Sequence, residues 1–287
     1  MIYGAIELQS GEYPVRSLCR VVGVSVSGYY AWRRRAPSRR RLENQGLVAI
    51  MRAVHRDIDS AYGSPRMRDE LASRGYECSV NRVARLMRVH GLIARTTVKY
   101  RSLSKAGRRR PPAPNLLNRE FTVAEPNRVW CSDITYIPTA GGHLYLAVVM
   151  DLYNRQVVGM ATSTRLGGAL VSAALKQAVA RRGISPGLLH HSDRDGLYAC
   201  AEYRHVMEAH QMVASMSRKG NYLDNACVES FFGLLKRELV LFERFRSRSE
   251  AHTKIFDWIE THYNRVRRHT TLGSLSPVEY EELHNRP

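Results

Sequence analysis

In the C-terminal half of the chain, apolar residues alternate with polar ones or run together in short stretches separated by Gly, Asn and Pro. This pattern is typical of β-strands joined by tight turns. It predicts strands at 129–137, 143–152, 156–162, 187–190 and 212–215. Apolar residues at helical spacing predict helices at 168–181, at 201–209 and from Asp224 onward. Three consecutive strands followed by alternating helices and strands indicate an α/β sheet of mixed direction.

The first 35 residues have a helical period instead. Apolar residues in 14–22 predict a short helix, and either Ser25 or Ser27 begins a second one. Two short helices in succession suit a small helix-turn-helix. A helical arm that packs on the core is an equally good interpretation of this segment.

Residues 44–98 repeat the helical theme more clearly. Ser64 is placed to cap a helix whose first position is Pro65, and Ser79 is placed to cap the next. On that second helix one face is apolar, with Val80, Val83, Leu86 and Met87. Another face is basic, with Arg82, Arg85 and Arg88. We expect a DNA-reading helix here; the simpler alternative is a solvated face of ordinary surface charge.

Charge is distributed unevenly along the chain. The formal net charge is +18, and residues 1–120 carry +15 of it. A basic front half followed by a nearly neutral back half indicates a nucleic-acid-binding region joined to a catalytic or structural one. The predicted organisation is therefore an N-terminal helical segment, a helix-turn-helix domain, a basic Pro-rich linker and a core with a C-terminal helical extension, at 1–43, 44–98, 99–123 and 124–287. Within the linker, Arg108, Arg109 and Arg110 are expected to follow a phosphate backbone.

Cysteine usage and hydropathy indicate the compartment. The five cysteines are scattered and none forms a C-x-x-C pair, so we expect reduced thiols and no zinc knuckle. The chain has no apolar run of about 18 residues and no signal-peptide pattern at its start. The expected location is the cytoplasm, without association with a membrane.

Three acidic residues carry the candidate chemistry. Asp133 lies within the first predicted strand, Asp193 directly follows the fourth, and Glu229 is on the helix that begins near Asp224. A carboxylate in a buried strand is costly unless a cation compensates its charge. Three carboxylates from separate elements can hold two Mg²⁺ ions about 3.5–4 Å apart, an arrangement that cuts and joins phosphodiesters.

Several polar neighbours of these acids have competing interpretations. Lys236 projects on the same side of its helix as Glu229 and can meet a DNA phosphate. Arg267, Arg268 and His269 are also candidate phosphate contacts, with ordinary surface charge as an almost equal alternative. Asp151 and Asp224 are better explained as structural, the latter as a helix N-cap. We expect His191 to orient the loop beside Asp193 or to contact DNA.

The motifs around these residues resemble those of one known family. They are Trp130-x-x-Asp133-Ile134-Thr135-Tyr136, Tyr145-Leu146-x-x-Val149-x-Asp151-Leu152, His191-Ser192-Asp193-Arg194, Asp224-Asn225-Ala226-x-x-Glu229-Ser230-Phe231-Phe232-x-x-Leu235-Lys236-x-Glu238 and Tyr263-Asn264-x-x-Arg267-x-His269-x-x-Leu272-Gly273-x-x-Ser276-Pro277. Together they look like the insertion sequence 3 family of bacterial transposases, in particular its downstream reading frame. The match covers nearly the whole chain.

The resemblance implies a fold, a chemistry and partners. The fold is a ribonuclease-H-like core of the retroviral-integrase type, preceded by an all-α helix-turn-helix region. The catalytic and metal-binding residues are Asp133, Asp193 and Glu229, with Mg²⁺, for which Mn²⁺ can substitute. The substrate is double-stranded DNA at the element ends and at the target. The resemblance also implies a homo-oligomer on DNA, and an upstream-frame partner or a frameshift fusion. The location that it implies is the bacterial cytoplasm, in association with the nucleoid.

One departure from the family pattern leaves two alternatives open. After His191-Ser192-Asp193-Arg194 the family usually has a small pair such as Gly-Ser, whereas this chain has Asp195 and Gly196. We expect Asp195 to be a turn residue, although an extra carboxylate beside Asp193 can perturb metal affinity. The first alternative function is therefore a catalytically inactive DNA-binding protein derived from a transposase. The second, a ribonuclease acting on RNA–DNA hybrids, explains neither the basic front half nor the C-terminal motifs.

Overall fold

A computed structural model describes residues 2–58, 60–94, 113–219 and 221–284. The chain forms two compact units. The first, called here the helical unit, comprises Met1–Ser60 and Glu70–Ile93, and the second, called the core unit, comprises Ala61–Asp69 and Ala94–Pro287. No helix among the described residues is long and apolar enough to cross a membrane.

The helical unit begins with three short helices, α1 (Ile2–Gln9), α2 (Val15–Val21) and α3 (Val26–Arg34). Of the two serines that could begin α3, Ser25 is the cap, because its hydroxyl accepts the Gly28 N–H at 3.0 Å. Ile6, Cys19 and Tyr29 are buried together and give these helices a small core of their own.

The next three helices are α4 (Arg39–Asp57), α5 (Ser64–Ser73) and α6 (Val80–Val89). α5 begins at Ser64 itself, one residue before the predicted first position at Pro65. The predicted cap of α6 at Ser79 is confirmed by a 3.2 Å bond from the Arg82 N–H. Val83, Leu86 and Met87 are buried, as expected for the apolar face of α6.

A five-stranded sheet organises the core unit. The strands are β1 (Val129–Thr139), β2 (Gly142–Asp151), β3 (Val157–Ser163), β4 (Leu189–Ser192) and β5 (Val213–Met216). They lie in the order β3-β2-β1-β4-β5, with β1, β2 and β3 antiparallel and β4 and β5 parallel to β1. This confirms the predicted mixed sheet. The fourth strand was predicted two residues too early because Gly187 adopts a positive φ of 90°, which strand geometry does not allow.

Helices cover both faces of the sheet. One face of β1 and β2, with Trp130 and Val149, packs on α7 (Gly168–Arg182) and α8 (Ala201–Ala209). The approach of α7 is close: a Cβ added at Gly159 would lie 2.3 Å from the Ala174 carbonyl oxygen, so glycine is required there. The other face, with Cys131 and Val148, packs on α9 (Ala226–Leu235) and α10 (Arg248–Asp257). The last helix is α11 (Pro277–His284).

The helix predicted to run without interruption from Asp224 is not regular. A 3₁₀ turn over Tyr222–Asn225 precedes α9, and a π-helical segment over Lys236–Val240 follows it. A second π segment, Trp258–Tyr263, extends α10. Such π segments are often retained where they orient functional side chains. Here the first one begins at Lys236.

Candidate active site

The register of two neighbouring strands places Asp133 beside Asp193. Ser132 of β1 pairs with Ser192 of β4 in a parallel ladder. Asp133 directly follows Ser132 in β1, and Asp193 directly follows Ser192 at the end of β4. Their main chains therefore lie one strand spacing, about 4.8 Å, apart. Side chains alternate along a strand, and Asp133 therefore shares the face of Cys131, which α9 covers.

Glu229 reaches this edge of the sheet from α9. The Asn225 Nδ2 donates to the Ser132 main-chain oxygen at 3.2 Å, which fastens the beginning of α9 to β1 one residue before Asp133. Glu229 follows one helical turn later and is exposed. The sheet therefore supplies two of the acids and the helix supplies the third, as expected for Asp133, Asp193 and Glu229.

The three carboxylates are electrostatically coupled. Burial raises the pKa of Asp133 well above its usual value, and the charges of Asp193 and Glu229 raise it further. Burial, and to a smaller extent the charge of Asp195, raises the pKa of Asp193 to about 6. The pKa of Glu229 is also raised, first by partial desolvation of its carboxyl group beside the sheet, although the residue as a whole is exposed, and then by the charge of Asp193. Such a concentration of negative charge is the environment that a divalent cation stabilises.

The chemistry of the three carboxyl groups suits a divalent cation. Three carboxyl groups whose pKa values are all raised suit a hard cation such as Mg²⁺, which prefers oxygen ligands. Among the residues described, however, no group of three or more His, Cys, Asp or Glu side chains is already arranged to hold a metal ion. The donor chemistry therefore fits the cation, whereas the side chains do not form a closed coordination shell.

Lys236 lies near the same acids. Burial lowers the pKa of its ammonium group, and the charge of Asp133 acts in the opposite direction. Its Nζ lies 5.6 Å from the centroid of the Tyr136 ring. The expectation that Lys236 projects toward the carboxylates is consistent with this placement, and its contact with DNA stays a prediction.

The candidate DNA contacts near the C-terminus require correction. Arg267 is only 1% exposed, and its Nε and Nη2 donate to the Glu238 carboxylate at 2.9 and 2.7 Å. This buried ion pair uses the guanidinium that was expected to meet a phosphate. Arg268 is half-buried, and its Nη1 donates to the Ser274 carbonyl at 2.9 Å. His269 is buried as well.

The N-terminal candidates divide into two groups. Arg82 donates to Asn44 at 2.9 Å and pairs with Glu43 at 3.3 Å, so it connects α6 to α4 and is not a purely solvent-facing side chain. Arg85 and Arg88 are exposed on α6 and remain candidate DNA contacts. Arg108, Arg109 and Arg110 lie outside the described residues.

Asp151 and Asp224 are structural, as expected, but Asp224 is not a helix cap. Asp151 accepts the N–H groups of Asn127 and Tyr153 at 2.8 and 3.0 Å. Asp224 is fully buried and accepts hydrogen bonds from Asn115, Arg119 and Arg218. The Tyr222–Asn225 3₁₀ turn precedes α9, and the carboxylate is directed to these side chains and away from the helix N–H groups.

His191 is part of the sheet core and is not exposed at the surface, where DNA would bind. It is fully buried, and its ring nitrogens lie 2.8 and 3.1 Å from the hydroxyls of Ser215 and Ser217. Burial lowers the pKa of the imidazole to about 4, so the ring is neutral at physiological pH. His191 therefore fixes β4 against β5 just before Asp193.

Asp195 occupies the turn position expected of it. Its carboxylate accepts the Leu197 N–H at 3.1 Å and caps the 3₁₀ turn Gly196–Ala199. Its own N–H donates to the Asp193 carboxylate at 2.9 Å. The unusual residue therefore helps to hold the loop that carries Asp193.

Sequence reasoning missed three residues that the structure places at this edge. Asn225 connects α9 to β1, and Arg194 and Arg218 follow the ends of β4 and β5. Each arginine comes two residues after the end of its strand, and this position close to a strand end is the signal that could have identified them.

Comparisons with known proteins define the class. Residues 123–222 and 229–284 each match models described as an integrase core domain, and residues 41–100 match one described as an HTH-like domain. Structures with a similar fold include a simian T-cell lymphotropic virus intasome (17% identity, TM-score 0.46, 77% of this chain and 71% of that chain). Another is the HTLV-2 integrase catalytic core domain in complex with magnesium (16%, 0.43, 54% and 96%). The matched models give the chain an integrase-type core and a helical HTH-like region.

Full-length relatives narrow the class to a family. The chain is 40% identical over 283 residues to the transposase InsF for insertion sequence IS3A of Escherichia coli K12, covering 98% of both proteins. It is 39% identical over 269 residues to an uncharacterized 31 kDa protein of insertion element IS600 from Shigella sonnei, covering 94% of this chain and 99% of that protein. This chain belongs to the insertion sequence 3 transposase family, as its motifs indicate.

Proposed function

We propose that this transposase cuts DNA at the ends of its insertion sequence and joins the resulting 3′ hydroxyl groups to target DNA, with Asp133, Asp193 and Glu229 as its catalytic residues. The observation that supports the proposal is the pairing of Ser132 with Ser192, the residues directly before Asp133 and Asp193. The electrostatic coupling of Glu229 to Asp193 adds the third acid to the pair.

The three carboxylates would hold Mg²⁺, or Mn²⁺ in its place. A bound divalent ion activates the attacking oxygen and stabilises the leaving oxygen of a phosphodiester. For this role the carboxyl groups must be deprotonated, and the pKa of Asp193, about 6, leaves it mostly ionised at neutral pH. The Ile134 N–H, 2.8 Å from the Asp133 carboxylate, helps to orient that acid on its strand.

The HTH-like region supplies the support for DNA as the partner. Exposed Arg85 and Arg88 on α6 can contact double-stranded DNA at the element ends. Because transposition brings two element ends and a target together, we further propose that the protein acts as a homo-oligomer on DNA. An upstream-frame protein, joined to this chain by frameshifting or bound to it, would complete the assembly.

Strand transfer by purified variants tests the proposal. Asp133→Asn, Asp193→Asn and Glu229→Gln are each expected to abolish Mg²⁺-dependent cutting and joining of duplex oligonucleotides that carry the element ends. Binding of the same duplex is expected to persist, because none of the substitutions removes a positive charge. Retained joining by any of the three variants would exclude that residue from the catalytic set.

A second candidate function rests on Asp195, whose N–H bond to the Asp193 carboxylate lowers the pKa of Asp193 and whose negative charge raises it. A protein in which the effect of this charge prevents metal binding would bind the element ends and never nick them. Asp195→Gly restores a small residue at that position. If the wild-type protein is inactive and this variant nicks DNA with Mg²⁺, the inactive DNA-binding function is the correct one. Cleavage of an RNA–DNA hybrid in place of joining would instead indicate a ribonuclease.

A further inference from the structure

Positively charged residues follow the strands that end beside the carboxylates. β1, β4 and β5 are parallel neighbours, so their carboxyl ends lie at one edge of the sheet. β4 is followed by Asp193 and Arg194, and β5 is followed by Ser217, Arg218 and Lys219. The cations therefore emerge at the same edge as the candidate catalytic acids.

Arg194 is exposed, yet its side chain is held in place. Its Nε donates to the Ser217 carbonyl at 2.5 Å, a contact that joins the two loops after β4 and β5. Within the described part of the chain no acid pairs with it. The rest of its guanidinium group is available to an anion from solvent.

Arg218 and Arg119 are held by a single buried carboxylate. Asp224 accepts the Arg218 Nε and Nη2 at 2.9 and 2.8 Å and the Arg119 Nε at 2.8 Å. The two arginine side chains are 48% and 40% exposed, whereas the Asp224 side chain is completely buried. One negative charge thus orients two positive ones, and the exposed surface retains a net positive charge.

Orientation by Asp224 distinguishes Arg218 and Arg119 from ordinary surface charge. A flexible exposed arginine loses side-chain entropy when it binds a phosphate, whereas one already fixed by hydrogen bonds loses less. Lys176 on α7 is the ordinary case, since it is exposed and makes only a 3.3 Å contact with Glu202.

We propose that Arg194, Arg218, Lys219 and Arg119, called here the edge cations, bind the phosphates of the DNA strand that lies across the carboxylates. The inference rests on the proposed function, because it locates the rest of that strand. Two strand spacings, about 10 Å, separate β1 from β5. Since successive nucleotides of one DNA strand are about 3.4 Å apart along the axis, the bound phosphates lie within about three nucleotides of the reacting one.

The test measures the salt dependence of binding to an element-end duplex. The variants to measure are Arg194→Gln and Lys219→Gln. Neither side chain has an acid partner among the described residues, so neither substitution leaves a buried carboxylate unpaired. Each variant is expected to make the negative slope of log K against log salt concentration shallower by about 0.9. The ratio of wild-type to variant affinity should therefore be about eightfold larger at 0.1 M salt than at 1 M. Lys176→Gln, which removes the same charge from α7, should keep the wild-type slope.

Neutral methylphosphonate groups locate the contact. One methylphosphonate at a time replaces a phosphate within three nucleotides of the joined phosphate. At one or more of these positions it should weaken binding by the wild-type protein and by Lys176→Gln, but not by Arg194→Gln. If the protein joins DNA but Arg194→Gln and Lys219→Gln both keep the wild-type salt slope, the edge cations do not bind phosphates. The proposed function would remain intact. Reduced slopes in a protein that neither cuts nor joins would support the edge cations and contradict the proposed function.

Discussion

Asn225 donates from its Nδ2 to the main-chain oxygen of Ser132, and this bond connects the helix of Glu229 to the strand of Asp133. Asn225 is 2% exposed, so water does not replace the bond easily. Its Oδ1 has no hydrogen-bond partner among the described residues. The residue thus positions two of the proposed catalytic acids, which are far apart in the sequence, without itself being one of them.

Asn225→Ala is expected to reduce the rate of strand transfer by about 100-fold, because a displacement of about 1 Å in a catalytic group has that effect. The concentration of Mg²⁺ needed for half-maximal rate should rise, since Glu229 no longer has a fixed distance from Asp133. Binding of the element-end duplex should not change. Asn221→Ala, in the loop before α9, is the control and should leave the Mg²⁺ requirement as it is. An unchanged Mg²⁺ requirement in Asn225→Ala would mean that α9 is positioned by its apolar face alone.

The sequence alone predicted the order of the elements of the core and the three acids, but not the contacts that hold the acids together. Strand periodicity and turn residues are local signals, and they located β1, β2, β3, α7 and α8 to within two residues. The Ser132–Ser192 register depends on packing between segments 60 residues apart, which no local pattern encodes. Asn225 could not be recognised for the same reason.

Charged residues were the least predictable part of the site. Sequence reasoning can identify an arginine but cannot show whether an acid distant in the chain lies beside it. Arg267 and Glu238 are 29 residues apart, and each looks like a surface charge when considered alone. Their pairing explains why both occur in the motifs, and it removes Arg267 from the DNA-binding surface.

Arg267→Ala is therefore expected to destabilise the protein by about 3–5 kcal/mol, the usual effect of leaving a buried charge without its partner. Arg66 and His262 lie at 4.0 Å from the Glu238 carboxylate and compensate part of the loss, so the lower end of the range is expected. Urea unfolding measures the change. Arg265→Ala, which removes an exposed arginine from the same segment, should change the free energy of unfolding by less than about 0.5 kcal/mol. Equal effects of the two substitutions would contradict the ion-pair assignment.

The raised pKa of Asp193 predicts how stability depends on pH. In the folded protein the carboxyl group has a pKa of about 6, against an ordinary value of 3.8, so between these pH values the folded state binds more protons than the unfolded state. Stability from this group therefore falls as pH rises from about 4 to about 6. Without Mg²⁺, the midpoint of thermal unfolding of the wild-type protein is expected to fall more between pH 5 and pH 7 than that of Asp193→Asn. The variant lacks this titration. If the variant and the wild-type protein show the same pH dependence, the Asp193 carboxyl is not perturbed.

The three arginines of α6 are expected to separate into two roles. Arg85→Gln and Arg88→Gln should each lower the slope of log K against log salt concentration for duplex DNA by about 0.9, the contribution of one phosphate contact. Arg82→Gln should instead destabilise the helical unit by about 1 kcal/mol, because it removes the bonds to Asn44 and Glu43. Binding at several salt concentrations and urea unfolding of the same three variants distinguish the roles. A wild-type salt slope for both Arg85→Gln and Arg88→Gln would support the solvated-face alternative.

Tyr198 and Tyr203 provide a matched pair of buried hydroxyls, 3% exposed each. The Tyr203 hydroxyl lies 3.0 Å from the ring nitrogens of His190, whereas that of Tyr198 has no hydrogen-bond partner among the described residues. Removing a bonded buried hydroxyl costs stability, and removing an unbonded one relieves a desolvation penalty. Tyr203→Phe should therefore lower the free energy of unfolding by about 1 kcal/mol, and Tyr198→Phe should raise it by about the same amount. Urea unfolding of both variants at pH 7 measures the difference in sign. A loss of stability in Tyr198→Phe would show that its hydroxyl is bonded in solution, with an ordered water molecule as its partner.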